Sequence, residues 1–244
     1  EADTYRLTTI EADWEYLGQL YAEIKISNIE IITSYVNPYL FSYTKEELKI
    51  VFELLEYIEK NKSVSSVGML FDKDADIVQY QKSHSKTVEE TDYQILSNIN
   101  IEAHTIRVIH EVFKAAMTNR INLDIFAPKL LIIAIGHDIG KIENSKIMME
   151  STQQEEEIRK KLFTTHSHEH MSTIILGTMF PEYVSIALVN NVIISHHSVL
   201  KDDHKNSSSN EAELKKVLYQ ADKSARADEI KEYTIELKNK NTET

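Results

Sequence analysis

Residues 130–135, Leu-Leu-Ile-Ile-Ala-Ile, run without a polar side chain into Gly136-His137-Asp138. A segment that is apolar on every side has to lie in the interior of its fold. An Asp directly behind such a run is costly to bury unless a cation or several donors receive it. The chain must therefore bury a rigid element and supply positive charge at its end. It has only 5 Gly and 3 Pro among 244 residues, too few turn formers for a loop-rich protein, and the expected fold class is all-α. A hydrophobic content of 42% is enough for a packed core.

Helical periodicity supports that class along the chain. Trp14, Leu17, Leu20, Tyr21, Ile24, Ile29 and Ile32 fall close to helical spacing, and Asn37-Pro38 is expected to break that pattern. Thr44-Lys-Glu-Glu47 has the form of a capping box, opening a helix to about Lys60 with Leu48, Val51, Phe52, Leu55 and Ile58 on one face. Further helices are expected over 96–117, from Pro128 to about Ile135, from Pro181 through Val184, Ala187, Leu188 and Val192 to His196-His197, and over 211–232. The polar stretch 151–161 and the segment 202–210 are expected to flank a cavity mouth, and 239–244 to fray. Asp72, Asp74 and Asp76 alternate as in a calcium loop. Positions six and twelve of that loop hold Ile77 and Ser83 instead of Gly and Glu, so a solvated acidic turn is expected.

Residues able to bind metal recur around the His-Asp pair: His104 upstream, then His166, His168 and His170, then His196-His197, then Asp222. Imidazole and carboxylate together suit divalent transition ions. Adjacent His and Asp can divide the work, with the imidazole on one ion and the carboxylate bridging to a second. Taken singly, His104 reads as a hydrogen-bonded core histidine. His84, His110 and His204 fall outside the series and are expected to face solvent or make local bonds. If the segment around His168 is helical, His166 and His170 share a face and His168 points the other way. All three cannot then serve one site. With no Cys, thiolate sites and disulfides are excluded.

The order of these blocks resembles the HD superfamily of metal-dependent phosphohydrolases. The blocks are His104-Thr-Ile-Arg-Val, Gly136-His-Asp-Ile-Gly-Lys141, His168-Glu-His-Met-Ser-Thr-Ile-Ile-Leu176, Ser195-His-His-Ser198 and Ala221-Asp-Lys-Ser-Ala-Arg226, spread over roughly residues 95–230. The resemblance implies an HD-domain helical bundle over 91–235, with an N-terminal helical extension over 1–90 and a C-terminal tail over 236–244. It implies a first metal on His104, His137, Asp138 and Asp222, and a second that shares Asp138 and adds His168, His196 and His197. The family register selects His168 over His170. Two divalent transition-metal ions are expected, iron or manganese ahead of nickel, cobalt or zinc. Lys141 stands where the family places a lysine near the scissile phosphate. Arg226 either binds a substrate phosphate or pairs with Asp222 or Asp228. Glu169 is either an acid/base or a partner that holds a ligand histidine.

The activity implied is metal-dependent hydrolysis of a phosphoester, with a small nucleotide-type substrate. The His-His pair is similar to the branch that linearises cyclic dinucleotides, but that branch continues with Gly-Tyr-Pro and this chain continues Ser198-Val-Leu-Lys-Asp-Asp203. A relaxase-type module and a non-catalytic signalling module are the alternatives. A formal charge of −12 argues against a protein that coats nucleic acid, because phosphate binding relies on clustered Lys and Arg. No apolar stretch reaches the roughly 18–20 residues needed to span a bilayer. A cytoplasmic location is expected. The sequence opens on Glu1 and not Met, so an anchor or sensor upstream is allowed for.

Overall fold

The computed structural model describes residues 30–61, 99–142, 168–197 and 209–242, and among them the protein is all-α, with no sheet. Six α-helices are described: α1 (Lys45–Lys60), α2 (Ile101–Thr118), α3 (Leu123–Gly136), α4 (His168–Met179), α5 (Ile186–Ile194) and α6 (Ser209–Thr242). Helix α3 is the axis of the bundle. It packs against α1, α2, α5 and α6 as well as the turns that precede α1, and every residue from Leu130 to Ile142 is buried. The run that is apolar on all sides thus lies where all its sides meet protein. Helices α2 and α6 lie against each other, as do α4 and α5.

Local chemistry sets the helix starts. Thr44 Oγ1 accepts the Glu47 N–H at 3.1 Å while Glu47 Oε2 accepts the Thr44 N–H at 3.0 Å, the expected capping box. Leu48, Val51, Leu55 and Ile58 are buried along α1 as expected; Phe52 is half-buried, and Ile50 and Leu54 join the core instead. The capping Glu47 also reaches outward, accepting from Tyr183 Oη–H at 2.8 Å and lying 3.6 Å from Lys129 Nζ. That carboxylate ties α1 to α3 and to the turn before α5.

Four expected boundaries differ, each for an identifiable reason. Helix α2 begins at Ile101, five residues after its expected start, because the Asn100 side chain accepts the Ala103 N–H at 2.6 Å and caps it there. Helix α3 begins at Leu123, so Pro128 lies inside it instead of opening it. Proline has no N–H for the Asp124 carbonyl one turn back. Ser42 Oγ–H donates to that carbonyl at 2.7 Å, so the helix continues with its polar group satisfied. Near Asn37-Pro38 the break falls one residue late: a π-turn, Ile32–Val36, runs into a 3₁₀ turn, Asn37–Ser42, and the backbone kinks out of the helical region at Tyr39 (φ −119°, ψ 23°). Pro181 sits in a turn with Tyr183 buried beneath it, and α5 starts only at Ile186. Val184, expected on the helix face, is 89% exposed.

Helix α6 covers the expected 211–232 and continues to Thr242, so Ser209 and Asn210 are helical and 239–242 stay in the helix. The Trp14–Ile29 pattern, the Asp72 triplet, the stretch 151–161, residues 202–208 and His84, His166 and His204 lie outside the described residues. Among the described residues no helix is long and apolar enough to cross a membrane.

Candidate metal centre

Each ligand candidate stands at an end or on an inner face of a core helix. His104 lies in the first turn of α2, between buried Ile101 and Val108. His137 and Asp138 form the turn that closes α3, and His168 is the first residue of α4. His196 and His197 follow α5, and Asp222 lies in α6 between buried Ala221 and Ala225.

The turn carrying His137 and Asp138 is fastened directly to α4. Ser172 Oγ accepts the Gly140 N–H at 2.9 Å and donates to the His137 carbonyl at 2.9 Å. A Cβ on Gly140 would stand 2.1 Å from the His168 carbonyl oxygen and 2.7 Å from the Ser172 nitrogen. Only glycine lets these two backbones meet, and their meeting is what brings His168 to Asp138.

The candidate ligands fall into two groups. His104, His137, Asp138 and Asp222 are all buried, with ligand atoms within 4.8 Å of one another, an arrangement able to hold a metal ion. His104 Nε2 lies 3.1 Å from Asp222 Oδ1 and 3.3 Å from Asp138 Oδ2, and His137 Nε2 lies 3.4 Å from Asp138 Oδ2. His168, His196 and His197 form the second group. Asp138 belongs to the rim of both, because its Oδ1 faces His168 Nε2 at 3.3 Å. His170 is exposed, and its carbonyl accepts from Thr173. Outside the series, His110 takes an exposed place beside the Tyr35 hydroxyl.

The hydrogen bonds fix which imidazole nitrogens face the site. His137 Nδ1 donates to the Ala134 carbonyl at 2.8 Å and His196 Nδ1 to the Ile193 carbonyl at 2.5 Å. Each ring's Nε2 then carries a lone pair, and both Nε2 atoms are buried with no hydrogen-bond partner, as is Asp138 Oδ1. Unsatisfied buried polar atoms cost stability. Buried acceptors left without a donor, one in each group and one on the carboxylate that touches both, fit cation binding.

Charge at the site follows the same division. Burial and Arg226 work against a proton on His104, but hydrogen bonds to Asp138, Asp222 and Glu229 outweigh them and raise its pKa to about 9. Burial would raise the carboxyl of Asp138, yet His137, Lys141 and its histidine hydrogen bonds hold it well below the usual range. Asp222 is held low against burial by Arg226 and His104. Burial, then His137 and His168, push His196 down to about 4. Desolvation and His196 push His197 in the same direction. His196 and His197 therefore offer neutral imidazoles, the form that binds metal.

Two cations complete the site. Lys141 Nζ donates to Asp138 Oδ2 at 2.5 Å, and burial lowers its pKa. Arg226 resolves to a double contact, Nε to Asp222 Oδ1 at 3.1 Å and Nη2 to Asp138 Oδ2 at 3.4 Å. Glu169 lies 3.6 Å from both His168 Nδ1 and His197 Nε2.

Two contributors had not been read from the sequence. Ser172 gave no signal, being an ordinary hydroxyl on a helix. Glu229, buried behind His104, had one: it follows Asp222 and Arg226 at helical spacing, on the same face. Comparison with known protein families, curated proteins and solved structures found no match.

Proposed function

We propose that the protein is a metal-dependent phosphohydrolase of the HD type, cleaving a phosphoester of a nucleotide-class substrate with two divalent transition ions. The observation that carries this reading is the two-sided Asp138. One oxygen stands among His104, His137 and two cations, and the other lies against His168 with no hydrogen bond. His104, His137, Asp138 and Asp222 would hold one ion; Asp138, His168, His196 and His197 would hold the second. Divalent ions in such a pair supply water activated as a nucleophile near neutral pH and offset charge on phosphoryl oxygens.

The protein's own groups do the rest. Lys141 and Arg226 each bring a cationic nitrogen within 3.4 Å of Asp138 Oδ2, where they would meet the phosphate of a bound substrate and stabilise its growing negative charge. Asp222 and Asp138 keep those cations in place. Ser172 keeps the turn bearing Asp138 from moving relative to His168. Five imidazoles and two carboxylates exceed what one ion with an open position needs, which favours an enzyme over a binding module that merely keeps the fold.

The test is a substrate screen on fully metallated protein with manganese or ferrous iron. It covers cyclic dinucleotides, nucleoside mono- to tetraphosphates and an aryl phosphodiester. Turnover of one class, lost in Asp138→Ala and slowed on the order of a hundredfold in Lys141→Ala with metal retained, is the expected result. No turnover of any of them by loaded protein favours a non-catalytic module.

A further inference from the structure

Of the three fully buried imidazoles at the centre, two donate Nδ1–H to a peptide carbonyl of their own helix end. His104 differs. Its Nδ1 donates to Glu229 Oε1 at 2.9 Å, a carboxylate 125 residues away on α6 and only 2% exposed. The other oxygen, Glu229 Oε2, is buried with no hydrogen-bond partner. From the outside, Arg107 Nε approaches Glu229 Oε1 at 4.0 Å, and the same guanidinium pairs with Glu232 at the surface. A carboxylate taken out of water for one strong hydrogen bond is a poor stabiliser, and an apolar side chain facing the α2–α6 seam would pack at lower cost. Its placement is explained if the bond does something besides holding helices together.

We propose that Glu229 is the positioning residue of the deeper metal site: it fixes the His104 ring orientation so that Nε2, whose proton an ion would displace, aims between Asp138 and Asp222. A carboxylate behind an imidazole also makes the ring a stronger donor to a cation than a peptide carbonyl does. His104 is thereby the anchoring ligand, and Arg107 holds the carboxylate from behind. The inference rests on the metal reading of the centre and adds a residue outside the ligand set to it.

The experiment is titration of the metal-free full chain with Co²⁺, read by competition with a chelating dye and by the cobalt visible spectrum. The proteins compared are wild type, Glu229→Ala, Glu229→Asp and Glu229→Gln, with thermal unfolding of each metal-free form alongside. Glu229→Ala and Glu229→Asp, which remove or retract the acceptor, should weaken the tighter Co²⁺ site ~10- to 100-fold and change its spectrum. Glu229→Gln keeps an acceptor oxygen at the same reach but not its charge, and should bind more weakly than wild type yet clearly more tightly than Glu229→Ala or Glu229→Asp. If Glu229→Ala does not fold, the Asp and Gln forms decide the matter. A lower melting temperature with unchanged Co²⁺ affinity in Glu229→Ala or Glu229→Asp overturns the proposal in favour of a purely structural ion pair. Glu229→Gln as weak as Glu229→Asp overturns the orienting role as well. Wild type that binds no Co²⁺ overturns the metal reading itself, a result distinguishable from the other two.

Discussion

The two ligand groups meet at Asp138 and are built on opposite electrostatic principles. The deep group mixes two imidazoles with two carboxylates and is braced by Lys141 and Arg226, so charge is balanced almost atom by atom in a place closed to water. The second group is three imidazoles with a single carboxylate of its own, Glu169, 3.6 Å from two of them, and the His168 and His197 side chains are 22% and 42% exposed. Balanced charge in a dry site binds an ion tightly and lets it go slowly. An open cluster of imidazoles binds more weakly and exchanges. On the two-ion proposal, the contrast gives the deep ion the role of holding the fold and the shallow one that of exchange.

The largest effect that can break this comparison is loss of the carboxylate common to both groups. Asp138→Ala leaves Lys141 and His104 facing each other without their shared counter-charge. Removing one partner of a buried pair costs about 3–5 kcal/mol. Chemical denaturation should show that loss, and equilibrium dialysis should show neither ion retained. A variant that keeps the deep ion would mean Asp222 and the two histidines suffice.

Next is Gly140→Ala. The added methyl meets the His168 carbonyl and the Ser172 nitrogen, both backbone, so α4 has to shift. Overpacking of this kind typically costs about 1–3 kcal/mol. The shallow ion should be lost while the deep one stays, since His168 moves and His104, His137 and Asp222 do not. Equal loss of both ions would show the groups to be a single cooperative unit.

The pH response of the metal-free protein separates the groups without mutation. His104 has its folded pKa raised to about 9, so its contribution is full below about 6.5 and lost as pH rises through 9. His196 has its folded pKa lowered to about 4. Between 4 and 6.5 the unfolded chain binds the extra proton, and stability falls as pH drops through that window. The metal-free protein should therefore be most stable near pH 6.5, with about 3 kcal/mol at stake above it and more below it, where His197 adds to His196 in the same direction. Melting temperatures from pH 4 to 9 check this. A stability that rises steadily to pH 9 would contradict the His104 contacts.

The smallest effect is His197→Ala. With its side chain 42% exposed, stability should change by no more than ~0.5 kcal/mol, while the shallow ion binds about tenfold or more weakly. A competition titration that finds the deep ion weakened instead would reverse the assignment of the two groups.

What could be read from the sequence follows the range over which each interaction acts. The Thr44 capping box and the central apolar run are local signals of residue type and spacing, and the structure has both; that His104, His137, Asp138 and Asp222 come together was implied by the order of the motif blocks and not by spacing. Pro128 misled because the hydroxyl that satisfies the carbonyl it frees belongs to Ser42, 82 residues from Asp124. The start of α5 misled because the Pro181 turn is held by Tyr183 on Glu47, 136 residues away. Glu229 was within reach, since Asp222, Arg226 and Glu229 mark one face of α6, but a charged residue late in a helix reads as solvated until its partner on α2 is seen. Gly140 showed only as a motif residue; the 2.1 Å approach that demands it belongs to α4.

The central claim is that Asp138 serves two ions at once, and metal stoichiometry tests it most directly. Metal-free protein dialysed to equilibrium against excess Mn²⁺, with protein and dialysate compared by elemental analysis, should hold two ions per chain. The same measurement on Asp138→Ala should give none. One ion or fewer per wild-type chain, or two ions surviving in Asp138→Ala, contradicts the account.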